Sequence, residues 1–459
     1  MKNKKTLKVL GIIFLIVIGL TWIIPGSSPD STNAIVLGEL NPTGIADIFS
    51  SFDIITMYFA QNSILVLLVG AFYAVANKTG AYKTLVDKLS SLFKKKKWMA
   101  LLITILFFGL TPALTNVLFP MFIFLPLFIS VLVELGYNKK TILLSTVGSI
   151  LIGYSAGLFN SKFLSYTETS ENIYIWIKLG YLVLSMVALS MYTLLMSNKK
   201  YKDKETKNEL SIVPMKRDAE KKSKLGVWLL CLVFGLTLIF VILGLTTWNT
   251  EIFKNMNDAI MNASIGSYKI FANIFGAFGA FGAWTYTELY SVLVLATLLL
   301  ALCYKLNFKE FFESMFEGMM KFANIALIIA FINILIVFTL NSGILATIIN
   351  LFAKTGNNAL ITLSAFIGTP FVVEPIYVIQ YNMGIISAAY AEMNPTLLGL
   401  ISQSMYGVAM LFVPTSAILL SGLFYTGESY KGWIKHVWKL GIILLFLAFT
   451  AITIASLIK

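Results

Sequence analysis

Hydroxyl, amide and carboxylate side chains stand where unbroken apolar runs should continue, and they do so at two pairs of places. Thr111-Pro112-Ala113-Leu114-Thr115-Asn116 interrupts one run, and Ser155-Ala156, followed closely by Gly157 and Asn160, interrupts the next. Further along, Thr369-Pro370 and Glu374 interrupt a third run, and Thr415-Ser416 a fourth. Such breaks free backbone carbonyls from helical pairing, and inside a membrane freed backbone must line a cavity or be buried in protein. Carbonyl, hydroxyl and amide oxygens are hard ligands. Thr115, Asn116, Ser155 and Asn160 suit Na⁺, and together with Thr111 and Gly157 they suit recognition of a substrate carboxylate. The competing reading is structural, with Ser and Thr capping broken helix ends or joining packed helices.

Glu374 raises a different question. It lies in Phe371-Val372-Val373-Glu374-Pro375 with no cation near it in sequence. A lone carboxylate at that depth is costly unless it is paired, protonated or hydrated. It is therefore a candidate proton site or partner for a substrate ammonium; a rim position at shallower depth is the alternative. Lys178 and Glu288 fall nearer the outer ends of their runs and are expected to snorkel.

The residue census speaks against an enzyme. His436 is the one histidine, set among Lys435, Trp438 and Lys439, where lipid contact is its expected role. No HExxH or Cys/His cluster is present, and Cys231 and Cys303 sit in apolar runs as small core hydrophobes. No cofactor or structural metal is expected, and the coupling ion would be Na⁺ or H⁺. A channel would be expected to show a continuous polar stripe or selectivity ring, which the sequence lacks.

The elements that must position these residues are membrane helices. The chain has 459 residues, 58% hydrophobic and 12% charged, with mean hydropathy +0.83, more apolar surface than a soluble core could hide. Its net charge of +13 could suggest nucleic acid, but the basic residues are placed otherwise. With the N-terminus cytoplasmic, 29 of the 35 Lys and Arg fall in inside segments, while the first outer loop, Pro25 to Asp53, carries four acidic residues and no basic one. That is positive-inside bias, with anionic lipid as the partner and a plasma-membrane location. The C-terminus then lies outside. The first run, Leu7 to Ile24, lacks a small-residue cleavage site and is expected to stay as a helix.

The fold class expected is an all-α polytopic membrane protein of two inverted-topology repeats, with about nine full spans and two re-entrant hairpins. The spans are Leu7–Ile24, Ile54–Ala76, Thr141–Asn160, Tyr174–Met196, Gly226–Thr246, Trp284–Tyr304, Phe322–Leu340, Thr396–Phe424 with a break, and Leu440–Leu457. The first repeat covers 1–197, with a hairpin at 98–134 and a broken helix at 141–160. The second covers 226–459, with a hairpin at 358–391 and a broken helix at 396–424. Short legs motivate the hairpins: Trp98 to Pro112 would span only ~22 Å, and Leu360 to Thr369 ~15 Å. Ordinary kinked hairpins are the alternative. An amphipathic stretch precedes each, at Leu85, Leu89, Leu92 and Phe93 and at Ile344, Ile348 and Leu351. Residues 198–225 form a basic, solvated cytoplasmic linker, and Phe271 to Gly282 an interfacial or partly inserted piece.

GLTPALTN from Gly109, LGYNKKTILLSTVGSILIGYSAGLFN from Leu135, LISQSMYGVAMLFVPTSAILLSGLF from Leu400 and YKGWIKHVWKLG from Tyr430 carry a family likeness. Together they resemble the ion transporter superfamily and, within it, the anaerobic C4-dicarboxylate carrier (DcuC/YfcC-like) family, most specifically from Gln403 to Gly441. The resemblance implies a homodimer whose protomers each have a scaffold and a mobile domain of two hairpins and two broken helices, moving as an elevator. It implies ion-coupled or exchange transport of a small organic anion such as a C4-dicarboxylate. Relatives also move basic amino acids of the arginine/ornithine type, fatty-acid-like anions or peptides, so an antiporter of basic amino acids or a peptide carrier is the alternative. A channel or membrane-embedded enzyme is more distant. The second tip departs from the family pattern: Gly368-Thr369-Pro370-Phe371-Val372-Val373-Glu374 replaces a Gly/Ser-rich turn.

Overall fold

Backbone N–H and C=O groups in an apolar chain must pair internally, and helices do so within one segment. The computed structural model describes the chain apart from residues 1–3, 30–34, 57–59, 160, 162, 164–172, 198–225, 247–250, 277, 354–357, 370–372, 378, 380–382, 392 and 459. Asn160, Pro370 and the linker thus lie outside the described residues. The first part comprises α1 (Lys4–Thr21), a ribbon of β1 (Ser27–Pro29) and β2 (Ile35–Leu37), α2 (Ile45–Ile54), α3 (Gln61–Lys78), α4 (Ala81–Phe93) and α5 (Lys97–Thr115). After a 3₁₀ turn at Phe119–Phe124 follow α6 (Leu125–Glu134), α7 (Lys139–Leu143), a π turn at Leu144–Gly148, α8 (Ser149–Ala156) and α9 (Ile175–Ser197). The second part has α10 (Trp228–Leu245), α11 (Glu251–Asn262), a ribbon of β3 (Ser264–Ile265) and β4 (Tyr268–Lys269), α12 (Ile270–Phe275), α13 (Tyr286–Cys303) and α14 (Phe308–Ser342). It ends with α15 (Ile344–Ala353), α16 (Asn358–Gly368), α17 (Pro375–Tyr377), α18 (Met383–Ala389), α19 (Pro395–Ala409), α20 (Ala417–Thr426) and α21 (Tyr430–Leu457).

Among the described residues six helices are long and apolar enough to cross a membrane: α5, α9, α10, α13, α14 and α21. Helices α3 and α4 would supply a seventh, but the chain bends there by 89°, at Gly80 with φ 74°. The expected spans Thr141–Asn160 and Thr396–Phe424 are both interrupted. The first passes through the π turn and ends at Ala156, and the second is broken between Ala409 and Ala417.

One expected length needs correction. The first leg does not stop at Pro112 but runs as α5 for 19 residues, Lys97–Thr115, which is ~28 Å and enough to span. Proline lacks a donor, yet its fixed φ is helical, so the turn continues until Asn116 takes a left-handed φ of 57°. The second leg, α16, has only 11 residues.

Close helix contacts follow small residues. Helices α3 and α14 cross where Gly70 and Gly318 meet, each leaving no room for a side chain on the other. Likewise a side chain at Gly153 of α8 would overlap the Gly109 carbonyl of α5. The returning leg stays against α5 through aromatic rings, Phe107 stacking on Phe128 at 4.8 Å.

Irregular backbone finds partners at both breaks. After α8, the Leu158 amide donates to the Ala113 carbonyl of α5 at 2.7 Å. At the first residue of α20, the Ala417 amide donates to the Val373 carbonyl at 3.2 Å. Trp433 of α21 donates its indole N–H to the Leu411 carbonyl at 2.8 Å, inside the break of the second broken helix.

Two other expectations change. Lys178 does not snorkel; it is 1% exposed. Cys231 is exposed rather than a core residue, because its side of α10 faces outward. The stretch from Phe271 is a short exposed helix, α12, followed by a loop whose Phe281 and Trp284 fold onto α10, Phe281 stacking on Phe240 at 5.9 Å. Helix α10 ends just beside it, and the Gly282 and Trp284 amides both donate to the Gly244 carbonyl.

Candidate functional site

The first tip and the second tip wall one cavity of about 280 Å³. Residues Asn116 to Pro120 come from the turn after α5, and Glu374, Ile376 and Tyr377 from the turn that opens into α17. Tyr154 near the end of α8, Gln61 at the start of α3 and Tyr286 at the start of α13 add to its polar lining. These positions are helix ends and turns, where polar side chains and free backbone groups occur together.

Asn116 ends α5 in the left-handed conformation that an asparagine tolerates better than most residues, and is 6% exposed. Glu374 is 3% exposed and precedes Pro375. It is the one acidic residue in the described lining, which holds no Lys or Arg. Thr285 and Tyr377 are the remaining lining residues with polar side chains besides the Trp284 indole. Tyr286 donates to Asn62 Oδ1 at 2.5 Å, and its neighbour Tyr290 donates to the Gln61 carbonyl at 2.7 Å, fixing α13 against α3. The cavity can therefore offer a carboxylate and several hydroxyl and amide groups to a small solute, a combination suited to hydrogen bonding and to one positive charge.

The other expected site residues that are described do not line this cavity. Thr111 and Thr115 lie along an apolar hollow between α5 and Ile242 of α10, and the Thr115 hydroxyl donates to the Thr111 carbonyl at 2.6 Å. Ser155 is fully buried, its hydroxyl donating to the Ile152 carbonyl at 2.7 Å and lying 3.0 Å from the Tyr181 hydroxyl. Thr369 donates to the Ala365 carbonyl at 3.0 Å, and Ser416 caps α20. Thr415 is buried within the break. Gly157, at φ 42°, ends α8, and its carbonyl accepts from Lys178 Nζ at 3.0 Å.

Gln403 is a further site residue that no sequence motif singles out. From the middle of α19 it holds the Tyr154 carbonyl with Nε2 and accepts from Ser161 with Oε1 at 2.9 Å, tying the two broken helices together. Its signal was an amide inside an apolar run. Tyr154, Tyr286 and Tyr377 gave no such signal, since tyrosine is common wherever a ring is buried and its hydroxyl finds a partner.

The long apolar helices define a multi-pass, largely helical membrane protein. The sequence profile of the C4-dicarboxylate anaerobic carrier family, DcuC, matches residues 60–457, and the chain belongs to that family. It is a carrier rather than an enzyme. No curated protein matches the chain. Among solved structures, it is similar to the YdaH transporter of Alcanivorax borkumensis, at 13% identity and TM-score 0.43 over 100% of this chain and 99% of that one.

Proposed function

We propose that the chain is a secondary active carrier of a small carboxylate-bearing solute, a C4-dicarboxylate by family, bound between the two tips and moved by elevator-type alternating access. The observation that carries this reading is the shared cavity: two turns more than 250 residues apart in sequence, Asn116 to Pro120 and Glu374 to Tyr377, wall the same 280 Å³ space. Supporting the inverted repeat, each broken helix donates a backbone N–H to the tip of the hairpin before it, Leu158 to Ala113 and Ala417 to Val373. The mobile domain is then 98–160 with 358–424, the protein a homodimer, the N-terminus cytoplasmic and the C-terminus outside.

A second reading concerns charge. A dianion would meet Glu374 and no Lys or Arg in the described lining, whereas an ammonium would be matched there. This favours a basic amino acid such as arginine or ornithine, exchanged across the membrane.

One experiment separates them. The purified protein is screened for thermal stabilisation by succinate, fumarate, arginine and ornithine, and stabilising solutes are tested for saturable uptake in liposomes. Succinate-selective uptake supports the first reading and arginine-selective uptake the second. Non-saturating flux of every solute would remove the carrier reading and favour a channel.

A further inference from the structure

The most deeply placed cation described in this protein belongs to the chain itself. Lys178, on α9, is 1% exposed, and its Nζ lies 3.0 Å from the carbonyl of Gly157. Among the described residues it forms no ion pair with Asp or Glu; its acceptor is backbone. An ammonium is expensive to bury, so the place that holds it has to be suited to positive charge.

That place is the break after α8. Gly157 follows directly on the C-terminus of the helix, where backbone carbonyls lose their helical donors and the dipole is negative. Carbonyls at the C-terminal end of a broken helix are what a transporter uses to hold a coupling cation. The neighbouring oxygens are already engaged: Ser155 donates to Ile152, and Gln403 holds the Tyr154 carbonyl and receives Ser161. Gln403 also packs directly against Gly157. Tyr154 itself lines the solute cavity, so the ammonium sits one turn behind that wall.

We propose that Lys178 is a tethered cation. Its ammonium permanently fills the cation position at this break, so the carrier binds no Na⁺ there and runs without a sodium gradient, driven by solute exchange or by another ion. The proposal rests on the carrier reading but not on which solute is carried.

The test compares NaCl with choline chloride at equal ionic strength on the full chain. The wild type is expected to melt at the same temperature in both, and its uptake of labelled succinate or arginine into liposomes to change by less than about twofold. Lys178→Arg, which keeps a cation, should behave likewise. Lys178→Ser vacates the position, and should gain a sodium-specific rise in melting temperature and lose at least about tenfold in uptake in choline, partly restored by Na⁺. A sodium-specific stabilisation of the wild type, or uptake that collapses in choline, would overturn the proposal. So would a folded Lys178→Ser that transports in choline as the wild type does. If Lys178→Ser fails to fold, the wild-type and Lys178→Arg measurements still decide. If neither solute is transported, the carrier's solute assignment has failed while the melting comparison continues to decide on Lys178.

Discussion

Glu374 and Asn116 reach the same cavity from turns at opposite ends of the sequence, and each can be altered without altering the backbone that presents it. Glu374→Gln keeps the shape and removes the charge. If the carboxylate holds a substrate ammonium, arginine binding measured by calorimetry should weaken by roughly 2 kcal/mol or more; if it holds a proton, binding should survive while pH-dependent accumulation is lost. Wild-type binding and pH response would return it to a passive rim residue. Asn116 calls for glycine rather than alanine, because glycine adopts a φ of 57° freely whereas alanine lacks the tolerance for it that asparagine has. Asn116→Gly should fold and weaken solute binding by about 1–3 kcal/mol through the lost amide contact, and equal affinity would assign Asn116 to helix termination alone. These two residues were legible as polar groups at apolar depth. Ser155 and Thr369 gave the same signal and spend their hydroxyls on helix carbonyls instead, a distinction that depends on which way the helix faces.

At the scale of elements, the interrupted helices were legible from Pro, Gly and Ser in apolar runs, but the donors that satisfy them were not. Trp433 is an example. Its indole reaches back from α21 to the Leu411 carbonyl, whereas the sequence marks Trp433 only as part of the family-like stretch Gly432-Trp433-Ile434-Lys435. Trp433→Phe should leave that buried carbonyl without its donor and cost about 1–3 kcal/mol, read as a lower melting temperature in detergent; an unchanged melting temperature would mean that the break satisfies itself. Gly153→Ala is expected to do comparable damage by forcing α8 away from the Gly109 carbonyl, at about 1–3 kcal/mol. Helix α5 exceeds the length its sequence predicts for a related reason: proline marks a helix end in the sequence, whereas the chain ends its helix only where Asn116 turns left-handed.

At the scale of the whole molecule, composition makes the membrane class readable and charge placement predicts an orientation, while the meeting of the two tips depends on contacts no local pattern encodes. Orientation can be checked with single cysteines at Lys140 and Ala391 in a chain without Cys231 and Cys303. Labelling from the cytoplasm at the first and from outside at the second is expected, and labelling of both from one side would defeat the inverted repeat. The segment between α1 and α2 carries a further consequence. Ser27 donates its amide to the Gly343 carbonyl, its hydroxyl sits 2.8 Å from that of Thr347, and Asn41 donates to the Asn341 carbonyl at 2.7 Å. The amide of Tyr430 in turn donates to Thr6 of α1. None of these partners exists when the first helix leaves the ribosome. At ~5–20 residues per second, the roughly 300 residues separating Asn41 from Asn341 take about 15–60 s to appear. Through that interval the early segment has no native partner on the far side, so its capture times the closure of the fold. Nascent chains arrested before residue 341 should leave Asn41 open to digestion by added protease, and full-length chains should protect it.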